Sequence, residues 1–160
     1  MRITMGAIGR QRRGPLEDMF NHYADLIKSA GSGVGVTNFR LIEVDNRKSP
    51  PGSKGCDWEA NKILKAVPEA ATLVALDEKG RSLSSRAFAQ DIASKRDQGA
   101  QDLVFLIGGP DGHGRAVREC AAYTLSLGPA TWPHLLVRVM LAEQIYRALS
   151  ILGGHPYHRD

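Results

Sequence analysis

Hydrophobic positions along this chain fall into two kinds of run. Short apolar blocks occupy residues 3–8, 39–44, 73–76 and 103–107, and longer stretches with helical spacing lie between them. The block at 3–8 is broken by a glycine, and FRLIEV at 39–44 alternates as a strand should. LVAL at 73–76 and LVFLI at 103–107 do not alternate, which predicts strands covered on both faces. After the first block, Leu16, Met19, Phe20, Tyr23, Leu26 and Ile27 recur at helical spacing. Pro15 opens that helix, Glu17 and Asp18 favour its positive end, and Gly31 stops it. Further helices are predicted over 57–67, over a serine-rich stretch ending at Gly99, over 115–123, and from Pro133 to about Leu152; residues 124–127 read as a short strand. Strands alternating with helices predict an α/β fold, a mostly parallel sheet flanked by helices, in a single domain over 1–160.

The last helix is apolar around nearly its whole circumference, from Leu135 and Leu136 through Val139, Met140 and Ile145 to Leu152. One side can face the sheet; the other calls for a second subunit, so a homodimer is expected. Arg138, Glu143, Gln144 and Arg147 interrupt the run, which excludes a membrane span. No basic segment leads into an apolar leader at the start. Cys56 and Cys120 stand far apart without paired spacing, as reduced thiols in a cytoplasm do. The composition, 42% hydrophobic and 24% charged, is that of an ordinary soluble domain. A net charge of +4 points weakly to a phosphate-bearing partner.

Three stretches carry candidate chemistry. LIGGPDGHG sets glycines directly after a buried strand, where open α/β sheets bind ligands. It matches neither the dinucleotide fingerprint nor a phosphate-binding P-loop, so the pattern alone names no ligand. The tail GGHPYHRD holds His155, Tyr157, His158 and Arg159. Two histidines without nearby cysteines fall short of a zinc set, and no GxSxG elbow exists, so no metal and no serine hydrolase is expected. Acid–base, hydrogen-bonding or anion-binding roles remain for the tail. Arg147 has Glu143 four residues away, whereas Arg138 has no such partner on its own helix and is a site candidate.

LIGGPDG, LSLGPATWPHLLVRVMLAEQIYRALSI and HPYHRD, in this order, closely resemble the SPOUT-class 23S rRNA (pseudouridine-N3)-methyltransferases, the RNA large-subunit methyltransferase H family. The resemblance spans essentially the full chain. It implies an alpha/beta-knot fold whose C-terminal segment, roughly 103–160, forms a trefoil knot, and an obligate homodimer. It implies a cytoplasmic enzyme that uses S-adenosyl-L-methionine to methylate a pseudouridine of 23S rRNA in the assembled ribosome. By the same resemblance the cofactor lies against Leu76, Gly108, Gly109 and the segment Gly128, Pro129, Ala130, Thr131, Trp132 and Pro133. His158 takes the catalytic base role and Tyr157 positions the target. Arg138 and Arg159 contact phosphate or developing anion, and the tail sits at the active site. Without an appended RNA-binding domain, recognition falls to a composite surface including Arg10, Arg12, Arg13, Arg47 and Lys48. A SPOUT enzyme acting on tRNA and a non-catalytic ribosome-binding dimer are the competing readings.

Overall fold

The run LVFLI resolves into two faces. In a computed structural model, which describes residues 1–158, it lies in a strand (β4, Asp102–Ile107) with every residue buried. Leu103, Phe105 and Ile107 join one hydrophobic cluster, and Val104 and Leu106 join another. The alternation was there, hidden because both faces are apolar.

The other strands are β1 (Arg2–Ile8), β2 (Asn38–Val44), β3 (Thr72–Ser82) and β5 (Tyr123–Ser126). The helices are α1 (Pro15–Gly31), α2 (Ser53–Ala66), α3 (Ser85–Asp97), α4 (Arg115–Cys120) and α5 (His134–Leu152). The strands form one sheet in the order β2-β1-β4-β3-β5, and each ladder between named strands is parallel. Helices α1 and α3 pack against α5 over one face, and α2 with α4 covers the other. The α/β, mostly parallel expectation holds.

Three boundaries differ from the sequence reading, each for a tertiary reason. Helix α2 begins at Ser53, four residues before 57, because Gly52 turns the chain and its carbonyl accepts from the Gly55 and Cys56 amides. Helix α4 stops at Cys120 so that Tyr123 can pair with Val74 and start β5. Strand β3 runs past Leu76 to Ser82, but with a fault: Leu125 of β5 pairs with both Leu76 and Arg81. Residues 77–80 are therefore extruded from the ladder as a bulge. Helix α5 buries Leu141, Ala142, Ile145, Ala148 and Leu149, while Leu136 and Met140 stay half-buried.

Candidate active site

Three chain segments meet at the carboxyl ends of β3, β4 and β5. They are the β3 bulge, the glycine turn 108–113 and the loop 127–134, and they enclose a cavity of about 630 Å³. That size suits a nucleoside-type ligand. The glycine turn closes on itself: the Gly112 amide donates to Gly109 O at 3.0 Å. A β-carbon on Gly108 would stand 2.8 Å from the Gly112 carbonyl, so only glycine permits this turn. On the opposite wall, Gly128 takes φ +107°. There Ser126 Oγ accepts from the Gly128 amide at 3.1 Å and lies 3.1 Å from Glu78 O, tying the loop to the bulge.

Of the cofactor residues expected from sequence, Leu76, Gly108, Gly109, Gly128, Ala130, Thr131 and Trp132 line the cavity. Pro129 and Pro133 are not among its lining residues; Pro133 instead caps α5. Trp132 keeps 41% of its surface exposed at the rim, an open face for stacking. Sequence reasoning missed Asp77, Glu78, Lys79, Asp111, His113 and His134, all of which line the cavity. The run DEKG after LVAL reads as a plain turn, and His113 and His134 lie within the glycine stretch and the stretch before the last helix without a role that the pattern assigns; the ladder fault brings 77–79 here.

Both histidines stay neutral. Burial pushes His113 down from the usual histidine range, against the pull of the Leu76 carbonyl, which its Nε2 meets at 3.0 Å. Burial and then the charge of Arg138 push His134 down likewise. His134 Nε2 is buried without a hydrogen-bond partner among the described residues. An orphaned nitrogen on a residue that lines the cavity fits a polar ligand that completes it. The carboxylates of Asp77, Glu78 and Asp111 suit a cationic one. A neutral buried histidine also sets a pH dependence. The unfolded chain takes up protons near pH 6.5, and the folded chain refuses them until lower pH. Stability is thus complete above about pH 6.5 and falls as the pH drops below it. Urea unfolding at pH 7.5 and 5.5 is expected to give the lower midpoint at 5.5, with the difference reduced in His113→Gln; equal midpoints would contradict the assignment.

The tail lies along α5, apart from its own chain's cavity. Tyr157 packs against Tyr146 with ring centroids 4.6 Å apart and the rings tilted by 58°, and its hydroxyl donates to Glu143 Oε1 at 3.1 Å. Burial, with Tyr23 and Glu143 adding to it, raises the Tyr157 pKa, so the phenol keeps its proton. Arg147 lies 4.9 Å over the Tyr157 ring and donates to Glu143 at 2.9 Å. Its Nη1 faces His158 Nδ1 at 3.5 Å. A guanidinium only donates, so Nδ1 accepts in this contact. The Tyr157 amide donates to His155 Nδ1 at 3.2 Å, leaving His155 a turn-forming part. Glu143 lies nine residues past His134, about 14 Å along the helix. Tyr157 and His158 are therefore not among the residues lining their own chain's cavity. Arg147, taken from sequence as a surface pair, is the centre of this group. Arg159 lies outside the described residues.

Arg138 finds its partner far away in sequence. It is 0% exposed; Nη1 donates to Glu43 Oε1 at 2.5 Å, and Nη2 donates to Ile8 O at 3.1 Å and Gly9 O at 2.8 Å. It does not line the cavity, and an exposed phosphate contact is not what its setting offers. It ties α5 to the ends of β1 and β2, with the Gln11 amide on the same Glu43 oxygen at 2.5 Å. Among the expected RNA-facing residues, Arg10, Arg12, Arg13, Arg47 and Lys48 are exposed. Asp45 engages Arg47 at 2.6 Å and Arg10 at 3.4 Å, and Arg47 holds the Asp45 carboxyl at about 2.

With this geometry established, comparison with known proteins is decisive. The sequence profile described as "Predicted SPOUT methyltransferase" matches residues 1–158. The chain is similar to the ribosomal RNA large subunit methyltransferase H of Dinoroseobacter shibae, 47% identical over 159 residues and 99% of each chain. It is 48% identical to that of Roseobacter denitrificans over 160 residues and the whole of both chains. It is 49% identical to that of Rhodospirillum centenum over 159 residues, again 99% of each. No helix is long and apolar enough to cross a membrane, and no histidine, cysteine and carboxylate cluster fit for a metal occurs among the described residues. A profile match across the chain, with relatives of near-equal length at almost half identity, shows that the chain belongs to the SPOUT methyltransferase family.

Proposed function

We propose that this chain is a cytoplasmic homodimeric enzyme that uses S-adenosyl-L-methionine to methylate N3 of a pseudouridine of large-subunit ribosomal RNA within the assembled ribosome. The observation that carries the reading is the three-segment cavity, in a chain 48% identical over its whole length to a ribosomal RNA large subunit methyltransferase H. When bound, the cofactor supplies an electrophilic methyl group on a sulfonium. Leu76, Gly108 and the loop from Gly128 to Thr131 would hold its nucleoside through backbone groups, with Trp132 closing the rim. Binding that aligns donor and acceptor provides a large share of the acceleration. The target nitrogen must lose a proton, and His158 is the group we assign to it, with Tyr157 and Arg159 holding the nucleotide.

For this, His158 must turn from Arg147 so that a ring nitrogen is free to accept. The tail's place on α5, away from its own cavity, supports service to the partner's cavity. The half-buried Leu136 and Met140 on α5 support the dimer that this requires. The loop 127–134 carries the chain from the β5 edge, past the ends of β3 and β4, to Arg138 at the end of β1. That return path supports knotting of the segment 103–160. Exposed Arg12, Arg13 and Lys48, beside Arg10 and Arg47 engaged by Asp45, suit a substrate that supplies shape as well as charge.

The test is transfer of a labelled methyl group to assembled ribosomes, free large-subunit rRNA and bulk tRNA. Label is expected on ribosomes alone, at N3 of a pseudouridine. Label on tRNA would replace the substrate, and its absence everywhere would sink the enzymatic reading.

A further inference from the structure

A side chain meets β3 where its ladder breaks. Up to Ala75, β3 pairs with β4, the last partner being Leu106. Beyond that point the two strands part, and the Leu76 carbonyl needs a donor that β4 no longer provides. His113 supplies it from the glycine turn, Nε2 to O at 3.0 Å. A carbonyl oxygen only accepts, so Nε2 bears the ring's proton. The ring is 6% exposed, wedged between the end of β3 and the turn after β4. It cannot swing away without opening the cavity wall. Immediately after Leu76 the chain leaves the ladder as the 77–80 bulge, which forms one side of the cavity.

The hydrogen bond therefore controls which way the Leu76–Asp77 peptide faces. One lone pair of the carbonyl is taken by the ring, and the other remains for the cavity. Without the ring N–H, that carbonyl loses its contact on the β4 side, and Leu76 is held only by its ladder partner Leu125 of β5. Within the bulge, Ser126 would then be the side chain that still holds it, with the ladder pairs of Leu76 and Arg81 to Leu125 at its two ends.

We propose that His113 is a positioning residue for the nucleoside of the methyl donor: by holding the Leu76 carbonyl, it sets the cavity wall formed by the 77–80 bulge. The inference rests on the cofactor reading above and adds a residue that acts through another rather than by touching the reacting atoms. Its signature is a split, in which cofactor affinity suffers and the rate at saturating cofactor does not follow it.

The test compares His113→Phe, which keeps a ring but loses the N–H, with His113→Gln, whose amide nitrogen can reach the same carbonyl. Binding of S-adenosylhomocysteine is measured by calorimetry, methyl transfer to ribosomes at saturating cofactor by single turnover, and amide exchange of 77–80 by mass spectrometry. The Phe variant is expected to weaken binding about tenfold and speed exchange in 77–80, and the Gln variant to return both to within about threefold of the unaltered chain. Should the Phe variant fold poorly, His113→Ala carries the same comparison. An unchanged dissociation constant in a folded Phe or Ala variant overturns the proposal. So does equal weakening by Phe and Gln, because the N–H is then not the cause. If the unaltered chain binds no S-adenosylhomocysteine, the cofactor reading falls and takes this one with it. Binding by the unaltered chain that the Phe variant matches sinks the His113 role alone.

Discussion

Arg138→Ala is expected to destabilise the protein by about 3 kcal/mol, the lower end of the range for breaking a buried ion pair from one side. The guanidinium is wholly buried and closes three contacts: Glu43, Ile8 O and Gly9 O. Removing it strands two carbonyls at the end of β1, which cost most when left unmade. It also leaves a cavity where the side chain stood. Glu43 keeps 28% of its side chain exposed, so water recovers part of the loss, which is why the lower end applies. Burial draws the Arg138 pKa down and Glu43 only partly restores it, so the charge itself contributes little net stability. Consistent with that, Arg138→Met, which refills the volume, is expected to recover some of the loss but not the carbonyl contacts. The Gln11 amide shares Glu43, so the basic loop 9–14 loosens as well, and methyl transfer to ribosomes should show a raised KM. Urea unfolding reported by tryptophan fluorescence measures the first effect. A loss below about 1 kcal/mol would show that the pair is replaceable and that the loop is held by other contacts.

His158→Ala is expected to slow methyl transfer by about 10²–10⁴-fold at saturating cofactor, the usual share of a positioned proton acceptor, with S-adenosylhomocysteine binding unchanged. The tail's location adds a sharper expectation. Tyr157 and His158 sit against Tyr146, Glu143 and Arg147 and not in their own cavity. A dimer combining one His158→Ala subunit with one Gly108→Ala subunit tests the arrangement. The Gly108 variant is expected to lose its cavity, because the added carbon meets backbone at 2.8 Å. If each tail serves the partner, the intact tail of the second subunit meets the intact cavity of the first. Such a mixed dimer, purified through two affinity tags, should retain about half the activity of the unaltered dimer, one site of two. If each tail serves its own chain, both sites are spoiled and the activity vanishes. Near-normal turnover by the His158→Ala homodimer would remove His158 from the chemistry altogether.

Much of the architecture was legible from local pattern. LVFLI and LVAL announced strands buried on both faces, and β4 is buried throughout. Pro15, Glu17, Asp18 and Gly31 marked the ends of α1, which spans Pro15–Gly31. The glycine turn after β4 suggested a ligand site by pattern and the loop before α5 by resemblance alone, and most of the residues expected there line the cavity. Motif resemblance identified the family, because three ordered stretches carry more information than any composition.

Other features depended on where distant segments land. Arg138 has no partner on its own helix, yet Glu43, 95 residues away, meets it once α5 crosses the end of β1. Asp77 and Glu78 became site residues only through the ladder fault that Leu125 creates by pairing twice. The tail's partners, Glu143 and Arg147, follow from how the chain folds back after Gly154 along α5. By itself, then, the sequence determined the strands, the helices and their parallel pairing, because strand and helix periodicities act over a few residues and are written in side-chain polarity, and its ordered motifs determined the family. Only the tertiary structure decided the partner of Arg138, the wall that His113 holds and the separation of tail from cavity. Those are contacts between segments tens of residues apart, and which pairs form is settled by the path of the chain rather than by any local preference.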